Sequence, residues 1–264
     1  MSASFAPLVQ ILTAGQTHRV WSVLITVFGD LAQDSGQWIS GPTLNSIMTE
    51  IGIKPEATRV ALHRLRKDGW ITSRRVGRHS DYGLTDQGRA QSVEASPRIY
   101  GSTTAQSNCY LVVSETGDPP PDATTDKTGA QQVLWITPAL GLTADCTVAR
   151  DNLILPVPQD RPLPDWLRNR VCSEHLVAAS VRTEAALGDL QQALDTAVEL
   201  NALQISVLRV LVVHSWRRII LRAPDLPDDV FPAEWRGAEC RRITAALLAT
   251  LPRPDLAQLD AKAP

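Results

Sequence analysis

Arg59, His63, Arg66 and Lys67 stand at i, i+4, i+7 and i+8 within the run Pro55 to Asp68 (PEATRVALHRLRKD). On a helix that spacing puts all four on one outward face. A second basic cluster follows at once, with Arg74, Arg75, Arg78 and His79 gathered around Gly77. Guanidinium groups make bidentate bonds to guanine edges in the major groove and also salt-link phosphates, so the chemistry on offer is recognition of DNA. Arg59 and His63, with Thr58 near the helix start, are the candidate base contacts, because the N-terminal half of a recognition helix is the part that enters the groove. Arg64, Arg66, Lys67, Arg74, Arg75, Arg78 and His79 are the candidate phosphate contacts, which position a domain without reading sequence. A helix with several surface cations is by itself only a solvated face. The DNA reading rests on the stripe, the adjacent cluster and a local charge excess coinciding between residues 54 and 89.

That excess is hidden in the total. The 264 residues carry a formal net charge of −2, yet residues 54–89 hold 9 Lys and Arg against 4 Asp and Glu. Residues 1–100 hold 11 against 8, and the remainder 15 against 20. A basic segment in an acidic chain fits a DNA-binding domain joined to a regulatory body. Hydrophobic residues at 44% and charged residues at 20% are an ordinary globular mixture. No apolar run reaches membrane-spanning length, and the N-terminus lacks the pattern of a signal peptide, so a cytoplasmic protein is expected. Cys109, Cys146, Cys172 and Cys240 are scattered without metal-ligand spacing, which favours four thiols in a reducing compartment and no metal.

Catalysis finds little support. There is no Gly-x-Ser-x-Gly elbow, no phosphate-binding glycine loop, no His-Glu-x-x-His and no cysteine pair. His214 and Ser215 are neighbours on an expected helix and cannot face each other as parts of a triad. No catalytic residue is assigned.

The elements that must carry the basic residues can be read in order. His18 to Leu31 is an apolar helix with Val20, Leu24, Val27 and Leu31 on one stripe. Gln37 to Ser40 is extended, and Gly41-Pro42 stops and restarts the chain. Thr43 to Ile51 is a short helix ended by Gly52, and Pro55 opens the next. In that helix Ala57, Val60, Ala61 and Leu65 are expected to pack inward. Trp70 to Arg75 and His79 to Leu84 read as a hairpin, and Thr85 as the N-cap of a further helix. Short helix, turn, basic helix and basic hairpin predict a winged helix-turn-helix.

Further along, Cys109 to Val113, Gln132 to Ile136 and Leu153 to Val157 are expected strands, and Pro162 to Trp166 marks a boundary. Leu187, Leu190, Leu194 and Val198 form an amphipathic stripe, read as core in preference to an interface. Leu203 to Leu221 is more apolar still, so its Arg209, Arg217, Arg218 and Arg222 stand out. Charges in such a helix are rarely left unpaired. For Arg217 and Arg218 the favoured reading is an ion pair with Asp225, Asp228 or Glu234, and the alternative is a contact to ligand phosphates.

WSVLITVFGDL, WISG, the run from Thr58 to Arg89 (TRVALHRLRKDGWITSRRVGRHSDYGLTDQGR) and PRIYG resemble the PaaX-type repressors of phenylacetate catabolism. Val210 to Gly237 (VLVVHSWRRIILRAPDLPDDVFPAEWRG) is similar to that family's C-terminal signature. The resemblance implies an α+β multidomain chain. Residues 1–100 form a winged helix, 101–160 a small ferredoxin-like α+β domain, and 161–264 a mainly helical regulatory and dimerising domain. It also implies a homodimeric repressor of an aromatic-acid operon, released from operator DNA by an aryl- or acyl-CoA thioester such as phenylacetyl-CoA. Arg209, His214, Trp216, Arg217 and Arg218 are then the candidate effector contacts. Two departures stand out: three consecutive prolines, Pro119 to Pro121, forbid a helix across that point, so a reduced middle domain is expected, and Ser215-Trp216 replaces the acidic and aromatic pair that commonly follows the signature His. A degenerate metal-dependent nuclease and a non-specific architectural DNA binder are the alternative readings.

Overall fold

A computed structural model describes residues 5–15, 19–101, 108–115, 133–147, 152–158, 162–195 and 199–260. His18, Pro119 to Pro121, Gln132 and Val198, each used above, lie outside the described residues. The helices are α1 (Phe5–Thr13), α2 (Val20–Leu31), α3 (Gly41–Glu50), α4 (Pro55–Lys67), α5 (Asp86–Tyr100), α6 (Asp165–Val171), α7 (Glu174–Leu194), α8 (Ala202–Ile220), α9 (Gly237–Thr250) and α10 (Leu256–Asp260). The strands are β1 (Ile39–Ser40), β2 (Ile71–Val76), β3 (His79–Leu84), β4 (Tyr110–Val113), β5 (Leu134–Thr137), β6 (Leu140–Thr143) and β7 (Leu153–Pro156). The architecture is therefore mixed α+β with two small antiparallel sheets. No helix among the described residues is long and apolar enough to cross a membrane.

The chain gathers into two compact units, and neither is one continuous stretch. The first takes Met1–Tyr100, Ala185–Arg217 and Arg242–Pro264; the second takes Gly101–Glu184 and Arg218–Arg241.

In the first unit α2 is the central post. Val23, Leu24, Val27, Phe28 and Leu31 are buried along it, and Leu44, Ile47 and Met48 of α3 and Ala61, Leu62 and Leu65 of α4 are buried as well. Each of these side chains except the small Ala61 contributes roughly 1.5–3 kcal/mol on leaving water. Ser40 caps α3 by accepting the Thr43 N–H at 3.2 Å, with Pro42 in the first turn. Gly52 turns the chain from α3 into α4 at φ +91°, a left-handed conformation that costs a side-chain-bearing residue energy. The sheet order β1-β3-β2 pins the hairpin against the strand that precedes α3, with Ile39 opposite Tyr82 and Ile71 opposite Leu84. Thr85 then caps α5 by accepting the Gly88 N–H at 3.0 Å. Gly88 itself lies so close to Trp70 that any Cβ there would run into the Trp70 carbonyl, which seats α5 at the foot of the hairpin.

In the second unit the sheet order is β5-β6-β4-β7, antiparallel throughout. Strand β6, which follows β5 after a two-residue turn, was not anticipated from the sequence. Among the described residues of 101–160 there is no helix, so the sheet alone represents the ferredoxin-like α+β expectation there. Phe231 and Trp235 stack with centroids 4.8 Å apart. Asp228 accepts from the Trp235 indole at 3.0 Å and pairs with Arg241 at 2.7 Å.

The four cysteines are free thiols. Burial pushes the pKa of Cys109 up to about 12, helped by the Asp229 carboxylate, and burial alone pushes Cys172 up to about 11. Cys240 rises to about 12 through burial and then the Glu184 carboxylate. Cys146 is exposed. Since the thiolate is the reactive form, a disulfide reagent at pH 8 should titrate Cys146 quickly in the folded protein and the other three only after denaturant. Rapid reaction of more than one thiol would contradict this burial.

Candidate nucleic-acid interface

Helix α4 presents two faces, and they differ from the expected pair by one position. The buried side is Thr58, Ala61, Leu62 and Leu65. The exposed side is Arg59, Val60, His63, Arg64, Arg66 and Lys67. Thr58 is thus corrected as a candidate base contact: it is buried, and its hydroxyl donates to the Lys54 carbonyl at 3.3 Å. Val60 is corrected in the opposite sense. Expected in the core, it is 70% exposed and lies between Arg59 and His63 on the outward face. Sequence reasoning missed its exposure.

The cations divide by their partners. Among the described residues, Arg59, His63, Arg66, Lys67, Arg75 and Arg78 have no carboxylate partner at ion-pair distance. Arg64 does, with Asp68 one turn on at 3.5 Å, a pair open to solvent on both sides. Such exposed pairs contribute little, so Arg64 is easily reoriented. Arg74 is held more firmly. It faces Asp81 in register across the hairpin, donating from Nε at 3.2 Å and Nη2 at 3.1 Å to the same carboxylate oxygen. Its guanidinium also lies 4.4 Å from the Trp38 ring centroid, a cation–π contact. His79 Nε2 stands 3.4 Å from the other Asp81 oxygen. Asp81 therefore gathers Arg74 and His79 at the hairpin, while Arg75 and Arg78 extend into solvent.

Of the candidate effector residues, His214 and Arg217 converge on the Thr26 hydroxyl, whereas Arg209 and Trp216 are engaged with other partners. Arg209 is buried and donates from Nε at 2.7 Å and Nη2 at 3.0 Å to the fully buried Asp30. Its Nη1 meets the carbonyls of Leu248 at 3.4 Å and Leu251 at 2.8 Å. Trp216 is fully buried and its indole donates to the Ile99 carbonyl at 3.1 Å. For both, the expected effector contact is corrected, because their donor groups are committed inside the protein. His214 is buried with Nδ1 3.1 Å from the Thr26 hydroxyl. Arg217 is half-buried and donates from Nη1 to the Ser22 carbonyl and the Thr26 hydroxyl, each at 3.4 Å. Among the described residues no carboxylate stands at ion-pair distance from Arg217. Arg218 is half-buried.

Asp30 is the residue that organises this interior. Besides Arg209 it accepts from the Tyr100 hydroxyl at 2.9 Å and has Arg253 at 3.8 Å. Burial, and then the Asp30 carboxylate, push the Tyr100 pKa well above its usual value, so the phenol stays a donor.

Comparison with known proteins agrees with the resemblance. The sequence model for the PaaX-like protein family matches residues 19–88, and that for the PaaX-like protein C-terminal domain matches residues 179–258. The Transcriptional repressor PaaX of Escherichia coli (strain K12) is 26% identical over 250 residues, covering 84% of this chain and 77% of the relative. Among solved structures, the uncharacterized protein Rv0674 from Mycobacterium tuberculosis superposes with a TM-score of 0.51 at 20% identity, over 91% of this chain and 97% of that one, a likeness of fold. Matched at both ends by the two parts of one family, in the same order, the chain belongs to the PaaX-like protein family.

Proposed function

We propose that this chain is a DNA-binding transcriptional regulator, acting as a repressor, and that α3, α4 and the β2–β3 hairpin work as a winged helix-turn-helix. The observation that carries the reading is the set of exposed side chains on α4 and the hairpin, Arg59, His63, Arg66, Lys67, Arg75 and Arg78, that have no carboxylate partner among the described residues. Cations left free of internal partners are available to displace counterions from a phosphate backbone. The Escherichia coli relative, a transcriptional repressor, supports the same reading.

In this proposal Arg59 and His63 contact base edges, and Val60 between them meets a thymine methyl, the apolar feature of the major groove. Arg66, Lys67, Arg75 and Arg78 clamp phosphates, and Arg64, Arg74 and His79 assist from their present pairs. Residues 1–100 carry the reading module, with 101–160 and 161–264 forming the sensing and dimerising body. A homodimer suits a palindromic operator. The effector class implied by the family resemblance is an aryl- or acyl-CoA thioester such as phenylacetyl-CoA. Such a regulator works in the cytoplasm, beside the DNA.

Gel shifts with DNA from upstream of the protein's own gene, against a random duplex, test this at fixed salt. Preference for the upstream DNA by about 10³-fold or more is expected, with release on adding phenylacetyl-CoA. Equal affinity for both duplexes would overturn specific regulation. Arg59→Ala should lower discrimination by about 1–3 kcal/mol at one base pair. Arg75→Ala should weaken all duplexes alike and reduce the salt slope by about one. Val60→Ala should remove a preference for thymine over uracil at a single position. Identical behaviour of the three variants would reject these assigned roles.

A further inference from the structure

Helices α2, α5 and α8 enclose a half-open cleft of about 350 Å³, its mouth included. Ile25, Ala95, Ile99 and Val213 give it apolar walls, and Tyr100 and Arg217 bring polar groups to it. The charge of Arg217 is the unusual feature. A guanidinium carries five N–H donors, and here only Nη1 is engaged, at a long 3.4 Å, with an uncharged carbonyl and hydroxyl. Among the described residues no carboxylate lies at ion-pair distance from it. Asp30, which also lines the cleft, already faces Arg209 at 2.7 Å and Arg253 at 3.8 Å. One carboxylate and three guanidiniums therefore meet around this interior. Burial lowers the pKa of Arg217, against a smaller opposing effect of Tyr100, as befits a cation short of countercharge.

We propose that this cleft binds a small carboxylate anion with an apolar body, its carboxylate held by Arg217. The charge comes from the unmatched guanidinium, whose planar fork fits a carboxylate in two-point contact. The apolar body follows from the aliphatic walls. The size follows from how little of the cleft is enclosed between the three helices, which suits a ligand no larger than a small acid. The ligand class is thus a simple carboxylic acid.

The cleft reaches the reading surface through Trp70, which lines it. Trp70 stands between α4 and β2: its N–H donates to the Leu65 carbonyl at 2.9 Å and its carbonyl accepts the Thr85 N–H at 3.1 Å. An occupant touches the segment that joins the reading helix to the hairpin. Control of DNA affinity by the ligand rests on the function proposed above; binding of the ligand does not.

Calorimetric titration without DNA separates the two. Benzoate, 3-phenylpropanoate and hexanoate are titrated into the full chain, with benzamide as the uncharged control. At least one acid should bind at one site per chain, at least tenfold tighter than the amide. Arg217→Gln should weaken it at least tenfold, and Arg217→Lys, which keeps charge but not the fork, should fall between. Circular dichroism and the unfolding midpoint of each variant establish that it is folded; should Arg217→Gln not fold, Arg217→Lys carries the comparison. Binding of none of the acids, equal binding of benzoate and benzamide, or undiminished acid binding by the folded variants would each overturn the proposal. Acid binding in a protein with no sequence preference in gel shifts would retain the cleft and reject the regulator.

Discussion

Asp30→Ala is expected to lower the stability of the folded protein by about 3–5 kcal/mol, the usual cost of removing one partner from a buried ion pair. Asp30 is 0% exposed and Arg209 7% exposed. The substitution leaves the Arg209 guanidinium buried with only the Leu248 and Leu251 carbonyls for company, and it takes the acceptor from Tyr100. Most of the loss is the penalty for that stranded charge, so a second substitution should recover part of it. In the double variant Asp30→Ala, Arg209→Met the deficit should be smaller than the sum of the two single changes, since an apolar replacement of a buried pair is often neutral. Urea unfolding of the four proteins measures this cycle. A loss below about 1 kcal/mol for Asp30→Ala, the level of an exposed pair, would mean that the carboxylate is hydrated and not buried.

Trp216→Ala should cost a similar amount, about 3–5 kcal/mol, as expected for emptying a fully enclosed aromatic site. Trp216→Phe separates the two contributions. It keeps most of the ring volume and removes the donor to the Ile99 carbonyl, which should cost about 1–3 kcal/mol. These magnitudes discriminate between a residue that builds the interior and one that meets a ligand. If both variants unfolded at the urea concentration of the parent, the buried assignment would fail and Trp216 would return to the effector site.

Local signals carried most of the first hundred residues. The stripe of α2, the Gly41-Pro42 restart, Pro55, Gly77 and Thr85 each act within a few residues, and α2 to α5 begin and end close to where those signals lie. The error on α4 has a plain cause. Ala57, Val60, Ala61 and Leu65 satisfy helical spacing almost as well as Thr58, Ala61, Leu62 and Leu65. The larger buried side chains, Leu62 and Leu65, decide the rotation, which turns Val60 out and Thr58 in. Arg209 could not be assigned by such means. Its partner is 179 residues away, whereas the acids considered for the neighbouring arginines lay close in sequence, and one of them, Asp228, is taken by Arg241. Periodicity says that a helix is buried; it does not say against what. The cleft was equally illegible, since α2, α5 and α8 supply its walls from stretches far apart in the chain.

The first unit needs three separated stretches of sequence, and this has a consequence for how the protein is made. During synthesis α4 leaves the ribosome early, but the counterion of Asp30 is not translated until residue 209, and Leu248 and Leu251 later still. A nascent or truncated chain carries the exposed basic face of α4 over an interior whose carboxylate has the Tyr100 hydroxyl but no guanidinium to meet it. Completion of the chain is thereby coupled to the stability of the unit that carries α4 and, under the function proposed above, an unfinished product is a poor competitor for DNA.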